Sequence, residues 1–573
     1  MKTGIRRRHI HAVMPLLETL KTYQLSWFCN DLVAGLTACV VMIPSVIAYA
    51  ELVHLPPITG LYAALAAAIG YAVFASSRHV IAGPDAAIGL LVGSAILPLA
   101  AADPARMALL AAELGLISGV VLLLAARLKL GVIADLLSRP VLVGYLNGAS
   151  LILISTQLGK MFAIKSQGEA FFPLLSNLLS QLPLTHGPTL LFGIFLMGLL
   201  VALGRWLPRM PGALLCSGVA ILGSYLFDLG NHGIALVGAM PAGIPRLEIP
   251  LILWSDIAVL APAAVAIAFL TFSDGILLAQ AFAEKHGYEV NPNQELAALG
   301  SANILAALWQ GFPVSASQSR SAIVDAAGGR TQVAQLVAAA GLLLFLFFLT
   351  GLIALLPRVA LGAILIVTAI GMLEVASLRS LYKIDRNEFS IAIAVTLVIL
   401  LTGVVTGVIA GLLMSLIAVL VEISRPRDAV LRRQINDGKF HDCLDDDKAE
   451  DVSGVIVYRL YAPLIFANAR YVFERIQILV DAAGPELEWL IIDAQAITDM
   501  DVTAAQRFAE LHKNLTEQGV QIIIADAPRP FREELAKVGL SDALGSQKFF
   551  VSVKKAVEAF EHLHGPLSTK AST

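Results

Sequence analysis

From residue 31 to residue 423 the sequence is an almost unbroken train of apolar segments, and this constrains the fold more than any motif does. A helix crosses the hydrocarbon core with about 20 apolar residues. Spans are predicted near 31–53, 57–76, 84–101, 105–126, 132–158, 187–206 and 211–228, and again near 255–283, 294–311, 316–327, 331–356, 359–378, 387–402 and 404–423. The third member of each set is short and interrupted. One follows Gly83-Pro84, the other follows Gly311-Phe-Pro313. Interrupted segments at corresponding places in two halves point to an inverted repeat with a binding site at the repeat interface. Segment order and interruption carry this pairing, because the halves share no strong residue-level identity.

Charge supports the same placement. Only 14% of the residues are charged and 57% are hydrophobic, whereas a soluble domain is about a quarter charged. The net charge of -3 offers no footprint for nucleic acid. Cys29, Cys39, Cys216 and Cys443 are scattered, with no C-x-x-C, which argues against a disulfide framework or a zinc site. Cys29 and Cys39 suit small apolar packing. No metal or cofactor is expected. Residues 1–30 read as a cytoplasmic arm: Lys2, Arg6, Arg7 and Arg8 are basic, and no apolar core or cleavage site marks a signal peptide. A tail without structure fits equally. Ser424-Arg-Pro-Arg-Asp-Ala-Val-Leu-Arg-Arg433 borders the last span with the same sign of charge, so both termini are placed in the cytoplasm, which requires an even number of spans. Four regions result: 1–30 the arm, 31–423 the membrane region, 424–451 a linker with an acidic stretch, and 452–565 a small soluble domain.

Gly311-Phe-Pro-Val-Ser-Ala-Ser-Gln-Ser-Arg-Ser321 reads as irregular backbone opening a short helix at membrane depth. Such backbone is tolerated only where it is buried in protein or lines a cavity. A helix starting there turns free N–H groups and a positive dipole end into that cavity, which suits an anion. Ser315, Ser317, Ser319 and Ser321 add hydroxyls, and Arg320 adds an intramembrane cation, a functional candidate by default. The alternative is a guanidinium that snorkels to the interface or pairs with an acid. Asp85-Ala-Ala-Ile-Gly89, after Gly83-Pro84, reads as a second half-helix, with Ala86, Ala87 and Gly89 keeping its surface shallow. Pro is well placed at such a start, although the same residues fit an ordinary loop and helix start. Asp274 is the only charge in 257–282, so it must pair, protonate or bind a cation. Its candidate partners are Arg320, a proton and a sodium ion; a structural ion pair is the plainer reading. In the first span Pro44 suggests a kink. Ser45 and Tyr49 share a helical face that lines the same cavity. Glu51, near that helix's end, fits an interfacial position or a coupling role.

From Val452 to Phe560, strands at 455–461, 487–493 and 520–525 alternate with helices at 470–482, 503–518 and from 552 onward. That pattern implies a mostly parallel or mixed sheet with covering helices. Asp493-Ala-Gln-Ala-Ile-Thr-Asp-Met-Asp-Val-Thr503 ends a strand and opens a helix, with Thr503 as its N-cap or in its first turn. A phosphate there would be favoured by the dipole, and a plain cap fits as well. No Walker motif and no nucleophile triad is present, so any work would draw on an ion gradient.

These stretches, with Asp31-Leu-Val-Ala-Gly-Leu-Thr37, Ile43-Pro-Ser-Val-Ile-Ala-Tyr-Ala-Glu51, Leu55-Pro-Pro-Ile-Thr-Gly-Leu-Tyr62, Ser76-Ser-Arg-His-Val-Ile-Ala-Gly-Pro-Asp85, Asn293-Gln-Glu295 and Gly328-Gly-Arg-Thr331, resemble the bacterial SulP (solute carrier 26) anion transporters. The resemblance runs through the whole chain. It implies an α-helical polytopic membrane protein, a seven-plus-seven inverted repeat of fourteen segments with two half-helices, followed by an α/β STAS domain. It implies a core moving against a gate, an anion between the third and tenth segments, and a homodimer in the inner membrane. Ser319 and Arg320 fall on the family's Ser-Arg pair, and Asp274 falls where the family often carries an acid. Thr503 falls where STAS-like antagonists carry a phosphorylated serine, but the usual Asp-Ser-Ser-Gly is here Asp501-Val-Thr-Ala504. Regulation or assembly through a cytoplasmic partner is the safer implication. The expected substrate-binding residues are Ser45, Tyr49, Asp85, Ala86, Ala87, Ser317, Ser319 and Arg320, and the expected ion-coupling residues are Asp274 and Glu51. The motif spelling resembles the sulfate-permease branch more than the bicarbonate branch, so sulfate is the expected anion, and proton symport is the expected coupling. Bicarbonate, chloride or a C4-dicarboxylate with sodium or proton coupling is the alternative. A uracil or xanthine permease and an anion-sensing signalling protein are the other classes.

Overall fold

The computed structural model describes residues 15–100, 103–131, 138–164, 171–207, 211–244, 246–250, 253–434, 438–442 and 449–564. Residues 1–14 of the N-terminal arm, with Lys2, Arg6, Arg7 and Arg8, the start of the span predicted at 132–158, and the acidic run containing Cys443 lie outside the described residues. Two compact units divide between Ser415 and Leu416.

The first unit is helical. Among the described residues, eight helices are long and apolar enough to cross a membrane, from Leu25–Leu52 to Val404–Ser424. Ala86–Ala100, Gly212–Phe227 and Val333–Phe348 are shorter apolar helices. Leu191, Phe227, Phe348 and Trp254 are exposed, an apolar outer surface suited to lipid. The predicted arm departs from expectation at its end: Pro15–Thr22 is a short helix with no buried residue, and the first long helix starts at Leu25.

The helices pack in two groups. In one, Pro292–Leu308 lies against Pro104–Arg127 and Pro57–Phe74, while Val333–Phe348 lies against Leu25–Leu52. In the other, Arg139–Phe162 lies against Arg386–Thr402 and Arg358–Met372, which also packs on Gly187–Trp206. Lipid gives helices no hydrophobic reason to associate, so close approach through small residues matters. Gly119 and Gly300 show this: a Cβ on Gly119 would stand 2.9 Å from the Gly300 carbonyl oxygen.

In the second unit, parallel strands Val455–Leu460, Trp489–Asp493, Gln521–Ala525 and Phe549–Phe550 form a sheet. Asp428–Gln434 pairs antiparallel with Val455–Leu460, so this stretch of the predicted linker is an edge-side strand of the sheet. Its buried residues, Ala429 and Leu431, alternate with Asp428, Val430 and Arg432, in a stretch that the sequence shows only as a basic border. Phe466–Ala483 and Val502–Glu517 cover one face, and Val553–His564 covers the other through Phe560 and Val557. Arg529–Lys537 is an additional amphipathic helix.

Candidate functional site

Ala82–Gly83 and Ser315–Ala316 pair antiparallel, with Gly83 opposite Ser315. Each strand runs into a half-helix, Ala86–Ala100 and Gln318–Ala326. The antiparallel pairing brings the two helix starts together and sends the helices apart. Around this break the backbone lacks its usual helical partners, and side chains supply them. Asn303 donates from Nδ2 to the Val314 carbonyl at 3.0 Å and accepts from the Val314 N–H at 2.9 Å. Gln332 donates to the carbonyls of Ser77 and Val80, and Gln335 to that of Ala82. Ser321 is spent the same way. Its Oγ accepts from the Ile81 N–H at 2.8 Å and donates to the Ser317 carbonyl at 2.7 Å.

Two fully buried acids fix the loops beside the half-helices. Asp31 accepts from the N–H groups of Arg330 and Thr331 and from the Thr331 hydroxyl. Glu295 accepts from the N–H groups of Ser76 and Ser77 and from the hydroxyls of Ser76 and Tyr71. Each carboxylate thus ties a helix of one half to a loop of the other. Several neutral donors on one buried charge are what makes such burial tolerable.

Arg320 is buried, and its guanidinium reaches back across Gly83. Nη2 donates to the Pro84 carbonyl at 2.7 Å, while Nε has no partner among the described residues. A Cβ on Gly83 would stand 3.2 Å from Nη2, so glycine makes room for this approach. The ionisable groups acting on Arg320 are Tyr49 and Asp85. Ser45 is a neighbour of the Tyr49 hydroxyl. Ser45, Tyr49, Asp85, Ala86, Ala87, Ser317 and Arg320 therefore gather around one point, and Ser319, beside Ser317, is exposed, which leaves that end of the half-helix open.

Two arrangements differ from the sequence expectation. First, Asp85 Oδ1 accepts from the Ala87 N–H at 3.0 Å, so the donors of the first half-helix already hold the chain's own carboxylate. Second, Asp274 does not pair with Arg320. Arg320 is drawn to Pro84, and among the described residues no hydrogen bond or ion pair reaches Asp274, whose charged neighbour is Asp85. Tyr145, which sequence reasoning missed, faces both acids and has a buried hydroxyl with no partner. A lone tyrosine in an apolar span was its only signal.

Glu51 lies elsewhere. Its side chain is buried in the protein, near the end of its helix, and pairs with Lys160 at 2.9 Å and with Arg358 at 3.6 Å. Thr503 is the second residue of Val502–Glu517 and is exposed. The cap is Asp501, which accepts from the Ala504 N–H at 2.8 Å and from the Phe466 N–H at 2.6 Å.

Taken together, the first unit offers two helix starts, one buried guanidinium and two nearby carboxylates, an arrangement able to hold an anion while exchanging protons. Residues 28–395 match the sulfate permease family, and residues 448–556 match the STAS domain. A protein of Mycobacterium tuberculosis named "Probable sulfate transporter" is 38% identical over 95% of this chain and 98% of its own length. The structure of a murine anion transporter, Solute Carrier 26 family member A9, superposes with a TM-score of 0.89 at 22% identity, covering 97% of this chain and 95% of that one. The transmembrane domain of the cyanobacterial bicarbonate transporter BicA superposes with a TM-score of 0.61 at 21% identity, covering 67% of this chain and 98% of that one. The chain belongs to the sulfate permease family, a family of membrane transporters, and carries a C-terminal STAS domain.

Proposed function

We propose that this protein is a secondary active transporter that takes up sulfate with protons. The observation that carries this reading is Arg320, buried between the two half-helix starts with an unpartnered Nε. The relative named as a sulfate transporter favours sulfate as the anion. Charge favours the proton. Asp85 and Asp274 set two negative charges against the single positive charge of Arg320. A dianion added to that set is strongly unfavourable unless the acids take up protons. Anion and proton therefore promote each other's binding, and the effect is reciprocal. Asp85 has a second part: its carboxylate holds the half-helix donors until it is neutralised, and then the N–H groups of Ala86 and Ala87 are free for an oxyanion. Ser45, Tyr49, Tyr145, Ser317 and Ser319 complete the hydrogen bonding, and Glu51 acts at a distance.

The rest of the assignment follows the family reading. The transporter sits in the inner membrane with both termini in the cytoplasm and works as a homodimer. The STAS domain serves regulation or assembly with a cytoplasmic partner, and Thr503 is its candidate modification site. Uptake of radiolabelled sulfate into proteoliposomes tests the assignment, with proton and sodium gradients imposed separately and with selenate, bicarbonate, C4-dicarboxylates and uracil as competitors. Proton-driven accumulation blocked by selenate is the expected result. Accumulation driven only by sodium, or blocked by bicarbonate and not by selenate, replaces the assignment with the alternative. Absence of flux of any kind points to a sensor.

A further inference from the structure

A cavity of about 490 Å³ opens at the Leu52 end of the first long helix, outward in the orientation proposed above. Glu51, His54, Ser94, Thr156, Gln157 and Lys160 are among its lining residues. Arg358 stands beside it, 3.6 Å from Glu51 Oε1. Among the described residues here, Lys160 and Arg358 are two cations against one carboxylate, Glu51. Among the described residues Glu51 Oε1 has no hydrogen-bond partner and meets Arg358 only at 3.6 Å, so Lys160 alone engages the carboxylate closely. The ion pairs also join two bodies. Glu51 rides on Leu25–Leu52, in the group that carries the half-helices. Lys160 and Arg358 ride on Arg139–Phe162 and Arg358–Met372, which pack against each other in the second group.

We propose that this cavity is a second anion site, in which a tetrahedral oxyanion takes the place of Glu51 on Lys160 and Arg358 before passing inward to Arg320. The site has an excess of positive charge to attract the anion, and guanidinium and ammonium groups are the usual donors to such oxygens. Glu51 is the resident competitor. Its displacement does more than make room, because the Glu51 pairs tie the two helix groups at this end. An arriving anion removes that tie, and the groups become free to move against each other. Capture at the mouth and release of the latch are then one event. This inference rests on the transport reading given above.

The test separates the two sites by disabling the inner one. Sulfate is titrated into the purified full-length Arg320→Gln protein in detergent, with thermal unfolding as the readout. Sulfate still raises the unfolding temperature of Arg320→Gln, and it ceases to do so in Arg320→Gln/Lys160→Gln and Arg320→Gln/Arg358→Gln. In the wild-type background, Arg358→Gln raises the KM for sulfate uptake about tenfold or more with a smaller change in kcat, the loss expected for a charged hydrogen-bond donor. Glu51→Gln, which removes the competitor, lowers it. Arg358 is half-exposed, so its substitution leaves folding intact even if Lys160→Gln does not. The inference is overturned if sulfate no longer stabilises Arg320→Gln, or if Arg358→Gln lowers kcat at an unchanged KM, the pattern of a purely structural latch. Wild-type protein that moves no sulfate would overturn the transport reading instead.

Discussion

Arg320→Gln removes the charge and shortens the side chain: the glutamine amide nitrogen stands where Nε does, so the Nη2 hydrogen bond to the Pro84 carbonyl at 2.7 Å is lost as well. The substitution therefore tests the charge together with that hydrogen bond. A dianion about 4.5 Å from the guanidinium, at an effective dielectric of about 20, gains roughly 7 kcal/mol of gross attraction. Part of that offsets the desolvation of both partners, and removal of one member of a buried pair typically leaves a net loss of about 3–5 kcal/mol. At about 1.4 kcal/mol per tenfold, kcat/KM for sulfate should fall roughly 100- to 3,000-fold. Two further losses push in the same direction. Asp85 loses the cation acting on it, and the hydrogen bond from Nη2 to the Pro84 carbonyl is gone. Initial rates of radiolabelled sulfate uptake into proteoliposomes give the number, with size-exclusion elution confirming that the variant is folded. An uptake rate within tenfold of wild type would refute the claim that this guanidinium holds the anion.

Other substitutions probe separate parts of the account. Asp274→Asn removes an acid that, among the described residues, no hydrogen bond or ion pair satisfies, so uptake should respond more weakly to an imposed proton gradient, with Asp85 left as the one titrating acid; gradient-driven accumulation at the wild-type rate would take Asp274 out of the coupling. Gly119→Leu drives a side chain against Ile304 and the Gly300 carbonyl, whose backbone cannot turn aside, and should destabilise the fold by about 1–3 kcal/mol or more; an unchanged melting temperature in detergent would contradict that contact. Asp501→Ala removes the cap of Val502–Glu517 and the acceptor for Phe466 N–H, a loss of about 1–2 kcal/mol that should speed amide exchange in the first turn of that helix. Thr503→Ala, at an exposed position that caps nothing, should leave the same exchange unchanged.

The parts of the site legible in the sequence are those that local chemistry marks. Gly83-Pro84 and Phe312-Pro313 interrupt apolar segments, and Arg320 and Asp274 are charges that lipid does not admit without cause. The parts that were not legible depend on distant partners. Glu51 has no evident partner in the sequence until Arg139–Phe162 brings Lys160 to it across 109 residues. Tyr145 is one aromatic among apolar neighbours until the fold turns it toward Asp85 and Asp274. Arg320 and Asp274 suggest a pair by charge alone, but the guanidinium lies over Gly83 and is taken by the Pro84 carbonyl. In the second unit, the arginines of Asp428–Gln434 read as a membrane border because the alternation of Ala429 and Leu431 is short. Asp501 and Thr503 both suit a helix start, and only the hydrogen bonds to Ala504 and Phe466 decide between them.

The central claim is a location: an oxyanion held between the starts of Ala86–Ala100 and Gln318–Ala326, against Arg320. Selenate carries the charge and shape of sulfate with a heavy atom at its centre. Crystals of the wild-type protein grown with selenate and measured at the selenium absorption edge locate that atom directly. The account predicts an anomalous peak within hydrogen-bonding reach of the Arg320 guanidinium and the N–H groups of Ala86 and Ala87, with the Asp85 carboxylate turned away from Ala87. Selenium elsewhere in the membrane unit, with Asp85 still capping its helix and no peak at Arg320, would contradict it.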